Sequence, residues 1–202
     1  MRAVKKDTPA LIATGCSYLG WESVLFEYDA KGKKWVAGPP RDVVEQYAIH
    51  AGVAVGTYRG KPAAFVSYLK SGPVGASPEM GGYGLSVYYK DGKSWKRERI
   101  LKVIGNRVPS KALAVGDLDG DGLDDIVWAD GGVGRVRVFF QKVDGTFEEM
   151  DAADEPTYKN RATSLAIADV DGDGRKDVVL MYEYFTGAKS RAGGIRAFLS
   201  KK

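Results

Sequence analysis

Histidine and cysteine are almost absent. The chain has 202 residues and one of each, His50 and Cys16. A lone cysteine excludes an internal disulfide. Zinc sites built from several His and Cys ligands are excluded too. The one conceivable Cys-His pair, Cys16 with His50, has no supporting signature around either residue. No apolar run approaches the ~20 residues that a membrane-spanning helix needs. The opening residues are basic, but the apolar stretch after them is too short for a secretory signal. Ala13-Thr14-Gly15-Cys16 has the order of a lipoprotein cleavage site without an adequate hydrophobic region before it. The expectation is either a cytoplasmic protein or one whose leader is not in this chain. No GxxxxGK[ST] loop and no strand-linked GxGxxG is present, so the common phosphate cradles are missing. A pair of carboxylates meeting across the fold is the hydrolytic arrangement that the composition leaves open. Glu148, Glu149 and Asp151 read instead as ordinary surface charge, and His50 as a hydrogen-bonded interior residue.

Glycine and aromatic residues are plentiful: 26 glycines, with Phe, Trp and Tyr at 11%. That mixture suits many tight turns between strands. Lys and Arg number 30 against 26 acids, a net charge of +4. Basic clusters stand at Lys31, Lys33 and Lys34, and at Lys93, Lys96, Arg97, Arg99 and Lys102. Charges of this kind on strands block edge-to-edge pairing. That role is preferred to nucleic-acid binding, and no nucleic-acid partner is expected.

The acids are concentrated. Residues 117–125 read DLDGDGLDD, with Asp117, Asp119, Asp121 and Asp125 separated by Gly120 and Gly122. Residues 169–177 read DVDGDGRKD, placing Asp169, Asp171, Asp173 and Asp177 in the same register. So many like charges in one turn repel unless a cation sits among them. Calcium takes six to eight oxygen ligands at about 2.3–2.6 Å, whereas magnesium demands a tighter octahedron and keeps its waters. Alternate residues of a curled loop point inward, so the first, third and fifth carboxylates reach one ion. The glycines permit the sharp bend. A carbonyl at Leu123 or Arg175 is the expected backbone ligand, and Asp125 or Asp177 closes the cage. Two structural calcium sites are expected.

An apolar strand precedes each loop, Ala112–Val115 and Leu165–Ala168, and another follows, Ile126–Trp128 and Val178–Met181. The ion therefore staples a hairpin. An EF-hand needs flanking helices and a glutamate at its twelfth position. Here that position is Trp128. The strand–DxDxDGxxD–strand unit resembles the FG-GAP and VCBS repeats, the blades of integrin-α-like β-propellers. The resemblance is close over residues 108–202 and rests on pattern alone before that. It implies a calcium-binding β-propeller and an extracellular or periplasmic location.

A second repeating signal is an aromatic hairpin. Val24 to Tyr28 leads through Lys31-Gly32 to Trp35; Val87 to Tyr89 through Asp91-Gly92 to Trp95; Val138 to Phe140 through Asp144-Gly145 to Phe147. Ile195 to Leu199 opens a fourth copy. Asp-Gly between alternating apolar residues is a strong hairpin signal. Naming the strands of a unit A to D, the chain divides into units at about 1–39, 40–103, 104–152 and 153–202, the first lacking A and the last lacking D. This gives an all-β fold of about fourteen strands in one repeat domain, either a small closed ring or a segment of a larger propeller. Residues 2–6 are one source for the outer strand of the fourth unit, and open blade edges also invite a homodimer. In the second unit Ala54-Val55-Gly56 matches Ala114-Val115-Gly116, but Thr57, Arg59 and Lys61 fall where aspartates stand. No metal is expected there, with Arg59 or Lys61 holding the loop in place of the ion.

In a four-strand meander the A–B and C–D turns share one face, and the longer connections lie on the other. Long loops on a rigid scaffold are where binding residues concentrate. The candidates are Trp21, Arg41, Tyr47, Tyr83, Arg107, Tyr158, Arg161 and Tyr184. The expected function is a non-catalytic binding or scaffold module for a protein or glycan. The rivals are a lectin and a polysaccharide-active enzyme or its accessory domain.

Overall fold

A computed structural model describes residues 11–12, 25–29, 31–38, 48–70, 82–104, 112–130, 135–151, 161–187 and 190–200. Among these the chain is all-β, with fourteen strands in four antiparallel meanders. The first sheet is β1 (Leu11–Ile12), β2 (Leu25–Asp29) and β3 (Lys34–Gly38). The second is β4 (Ala48–Tyr58), β5 (Lys61–Lys70), β6 (Gly82–Asp91) and β7 (Ser94–Val103). The third is β8 (Leu113–Gly116), β9 (Asp125–Asp130), β10 (Arg135–Gln141) and β11 (Phe147–Glu149). The fourth is β12 (Arg161–Ala168), β13 (Asp177–Gly187) and β14 (Ser190–Phe198). No helix of the described residues is long and apolar enough to cross a membrane, which says nothing of a membrane β-barrel.

Each expected aromatic hairpin forms. Tyr28 pairs with Trp35, Lys90 with Trp95, and Gln141 with Phe147. Gly92 and Gly145 take positive φ in their turns, as Asp-Gly requires. The first turn differs in detail. Its left-handed residue is Lys33, at φ 52°, and not Gly32.

The third sheet is apolar on both faces, because successive strand residues point to opposite sides. From β9, Ile126 and Trp128 join Phe65, Leu85, Val87 and Phe139 in a core shared with the second sheet. Val127 and Ala129 point the other way, joining Val138, Leu165, Val178 and Leu180 in a core shared with the fourth. All six residues of β9 are buried. A short, continuous apolar run is the signature of such a strand. The second sheet is also apolar on its far face, where Ala64, Val66 and Tyr88 cluster with Val53 and Trp95. The third sheet is thus pinned by side chains of its neighbours from both directions.

The A–B connection of the second unit corrects the expected alignment. Gly56 pairs with Ala63, whereas Gly116 pairs with Asp125. The connection is residues 57–62 in one and 117–124 in the other, two residues shorter. Arg59 and Gly60 both have positive φ (50° and 70°), a tight primed hairpin turn. Thr57 and Tyr58 therefore remain in strand β4 and do not curl into a ligand loop.

Candidate metal centres

The two acidic loops share one hydrogen-bond pattern. The Asp117 carboxylate accepts from the Gly120 N–H at 2.7 Å and from the Gly122 N–H at 3.1 Å. Asp169 accepts from Gly172 and Gly174 at 2.7 and 3.0 Å. Asp119 accepts from the Asp121 N–H and Asp171 from the Asp173 N–H, both at 3.1 Å. Gly122 and Gly174 both take φ 88°, the left-handed region that a Cβ disfavours. The bend brings the first, third and ninth carboxylates together. Ligand oxygens of Asp117, Asp119 and Asp125 lie within 4.8 Å of one another, as do those of Asp169, Asp171 and Asp177.

The ninth aspartate is also a structural tie. Asp125 accepts from the Leu118 N–H at 2.9 Å and from the Gln141 N–H at 3.0 Å, joining the loop to the end of β10. Asp177 accepts from Val170 and Ser200 in the same way, both at 2.9 Å. Each ninth aspartate thus spends both oxygens on backbone donors.

The fifth-position carboxylates stand apart from these triads. Asp121 accepts from the Leu123 N–H at 2.8 Å and Asp173 from the Arg175 N–H at 2.9 Å. The N–H groups of Leu123 and Arg175 thus hold those carboxylates.

The first loop is roofed by the second sheet, and the sequence reading missed how. Asp124 accepts from the Thr57 N–H at 2.6 Å and from its hydroxyl at 2.8 Å. The Gln141 side chain donates to the Asp124 carbonyl at 2.7 Å and the Thr57 carbonyl at 3.2 Å, and accepts from the Arg59 N–H at 3.1 Å. Gln141 is buried. Asp124 has no counterpart in the second loop, where Lys176 stands, so comparing the repeats could not single it out. Gln141 and Ser200 were findable: each falls two residues after a phenylalanine, Phe139 or Phe198, at the end of its strand.

The electrostatics of the two ninth aspartates differ. Burial pushes the Asp125 carboxyl up to about 6; the Leu118 and Gln141 N–H groups offset it only in part, and the charges of Asp119 and Asp121 add to the rise. Asp177 is buried as well, but its hydrogen bonds outweigh burial. The Val170 and Ser200 N–H groups hold its carboxyl below the ordinary value. The share of the Asp125 rise that comes from Asp119 and Asp121 is one that a cation among them would offset. An all-oxygen donor set selects a hard cation. The residues present therefore fit a hard metal cation.

The cations of the second unit do not fill an ion's place in their own loop. Arg59 bonds Glu98 at 3.0 Å and donates Nε–H to the Asp144 carbonyl of the neighbouring sheet at 3.2 Å. Lys61 pairs with Asp91 at 2.6 Å in the C–D turn of its own sheet. Glu98 also accepts from the hydroxyls of Tyr58 at 2.8 Å and Tyr89 at 2.5 Å.

Of the expected ligand surface, Tyr83 is corrected. It lies within β6, 2% exposed, its ring 5.9 Å from Trp128 in the core. Trp21, Arg41, Tyr47, Arg107 and Tyr158 lie outside the described residues. Arg161 and Tyr184 sit in β12 and β13, with side chains outside them. Cys16 and the His50 side chain also lie outside.

Residues 117–180 match the family model of the FG-GAP-like repeat. The match opens on the first aspartate of the first loop, takes in the whole second loop and ends in β13. Comparison with curated proteins returned no match.

Proposed function

We propose that this FG-GAP-like chain is a calcium-stabilised, propeller-type module that presents loops to a protein or glycan ligand and performs no chemistry itself. One observation carries the metal part. Two loops built from different residues bring the first, third and ninth carboxylates together with the same backbone bonds. Asp117, Asp119 and Asp125 would hold one ion, and Asp169, Asp171 and Asp177 the other, with Asp121 and Asp173 able to turn inward. The ion supplies positive charge where the folded chain concentrates carboxylates. It stabilises by binding the folded form alone.

The binding part rests on the scaffold: antiparallel meanders with both acidic A–B loops tied down by hydrogen bonds. An extracellular or periplasmic setting, where calcium is plentiful, agrees with it. Saturable binding to a glycan array or a purified protein, lost in EDTA and restored by calcium, is the expected result. Cleavage of an anionic polysaccharide by the purified chain would contradict the non-catalytic reading.

The first and last sheets have three strands among the described residues, where the middle two have four. Ring closure or pairing with a second copy would complete them. A homodimer gives twice the 21.9 kDa of one chain in light scattering. A mass of one chain would contradict the dimer and favour closure within the molecule.

A further inference from the structure

The two loops agree in every backbone bond and differ in charge. Residues 117–125 hold five aspartates and no cation, a formal −5. Residues 169–177 hold four aspartates with Arg175 and Lys176, a formal −2. The seventh position is the sharpest difference, Leu123 against Arg175. Leu123 has no charge to offer Asp121. The Arg175 guanidinium pairs with the Asp173 carboxylate, while its backbone N–H holds the other oxygen of the same group at 2.9 Å. It also donates to the Ser200 carbonyl at 3.0 Å and hydroxyl at 3.3 Å. Both members of the pair are about one-third exposed, at 34% and 33%, so water screens the contact only in part. Lys142, whose charge is felt by Asp119 and Asp121, is engaged at 2.6 Å by Glu148.

We infer that Arg175 is a built-in counter-ion that sets the affinity of the second loop. It neutralises Asp173 while no cation is present, and it must give up that contact before Asp173 can serve one. Lys176 lowers the attraction further. The loops then fill in order, 117–125 first and 169–177 at higher concentration. Because Arg175 and Asp177 both hold Ser200, the later step is registered at the end of β14, the edge strand of the fourth sheet. This inference rests on the reading of both loops as cation sites.

Calorimetric titration of the full chain with calcium tests it. The expected result is two constants about tenfold apart or more, a gap of ~1.4 kcal/mol. Asp117→Asn removes the tighter one and Asp169→Asn the weaker. Arg175→Leu, which copies the first loop, tightens the weaker constant and closes the gap; Leu123→Arg weakens the tighter constant. Arg175→Gln keeps a hydrogen-bonding group near Ser200 without the charge, and gives the same tightening if Arg175→Leu folds poorly. Two ions with an unchanged or weakened second constant in both Arg175 variants would overturn the counter-ion role and leave the metal reading standing. No calcium uptake by the unmodified chain would overturn both.

Discussion

At the scale of single residues, the groups that matter most are those satisfying two parts of the molecule at once. Gln141 joins β10, the first acidic loop and the turn of the second sheet through its buried amide. Gln141→Ala removes the donor shared by the half-buried Asp124 carbonyl and the exposed Thr57 residue, and a net hydrogen bond contributes about 0.5–1.5 kcal/mol. A loss of that size in urea denaturation is expected, and a change under 0.5 kcal/mol would contradict the tie. Glu98 offers a test in pH. Burial pushes its carboxyl up, but the hydroxyls of Tyr89 and Tyr58 and the Arg59 guanidinium outweigh burial and hold it below the usual carboxylate range. A depressed folded value means stability that is present above the unfolded pKa and lost as pH falls through the folded one. Tyr89 is shifted upward, first by burial and then by Glu98, so its contribution is present below about pH 10 and is lost on the alkaline side. Glu98→Gln should flatten both limbs of the stability-against-pH curve. An unaltered curve would show that the cluster contributes nothing.

Among strands and turns, the hairpins and both acidic loops were legible because their signals are local. Asp-Gly sets its own turn, and a DxDxDG run sets its own curl. Three features were not legible, for one reason: each depends on a neighbouring sheet. The primed turn at Arg59-Gly60 is shorter than the loops it aligns with, and Arg59 occupies it while its side chain reaches the Asp144 carbonyl across the sheet boundary. Tyr83 follows a Gly/Pro-rich stretch that reads as loop, yet β6 begins at Gly82 and buries it against Trp128. Nothing local marks Asp124, whose partner Thr57 comes from β4. Two glycines separate close packing from turn geometry. A Cβ on Gly84 would stand 2.0 Å from the Leu101 carbonyl oxygen, so Gly84→Ala forces β6 and β7 apart. At Gly60 there is open space, and alanine pays only for its positive φ, about 1–2 kcal/mol. Thermal melting should rank Gly84→Ala as clearly the more damaging. The reverse order would contradict the close approach of those strands.

In the whole molecule as proposed above, the third sheet, packed on both faces, and the fourth sheet beside it are tied at their acidic loops by bound cations. The first loop has a second duty, because Asp124 and Gln141 bind it to the turn of the preceding sheet. Asp124→Ala should lower stability even in EDTA and leave the second loop's calcium constant unchanged, as calorimetry would read. An equal effect on both sites would contradict that division. The most direct test is a calcium titration of the full chain with thermal melting of the same samples. Each site at 100 times its Kd adds about 2.7 kcal/mol. At about 2–4 °C per kcal/mol for a chain of this size, two filled sites raise Tm by roughly 10 °C or more. The account predicts two ions per chain and a rise of that order. No binding at millimolar calcium, with Tm unmoved, would contradict it and leave the acidic loops as solvated turns.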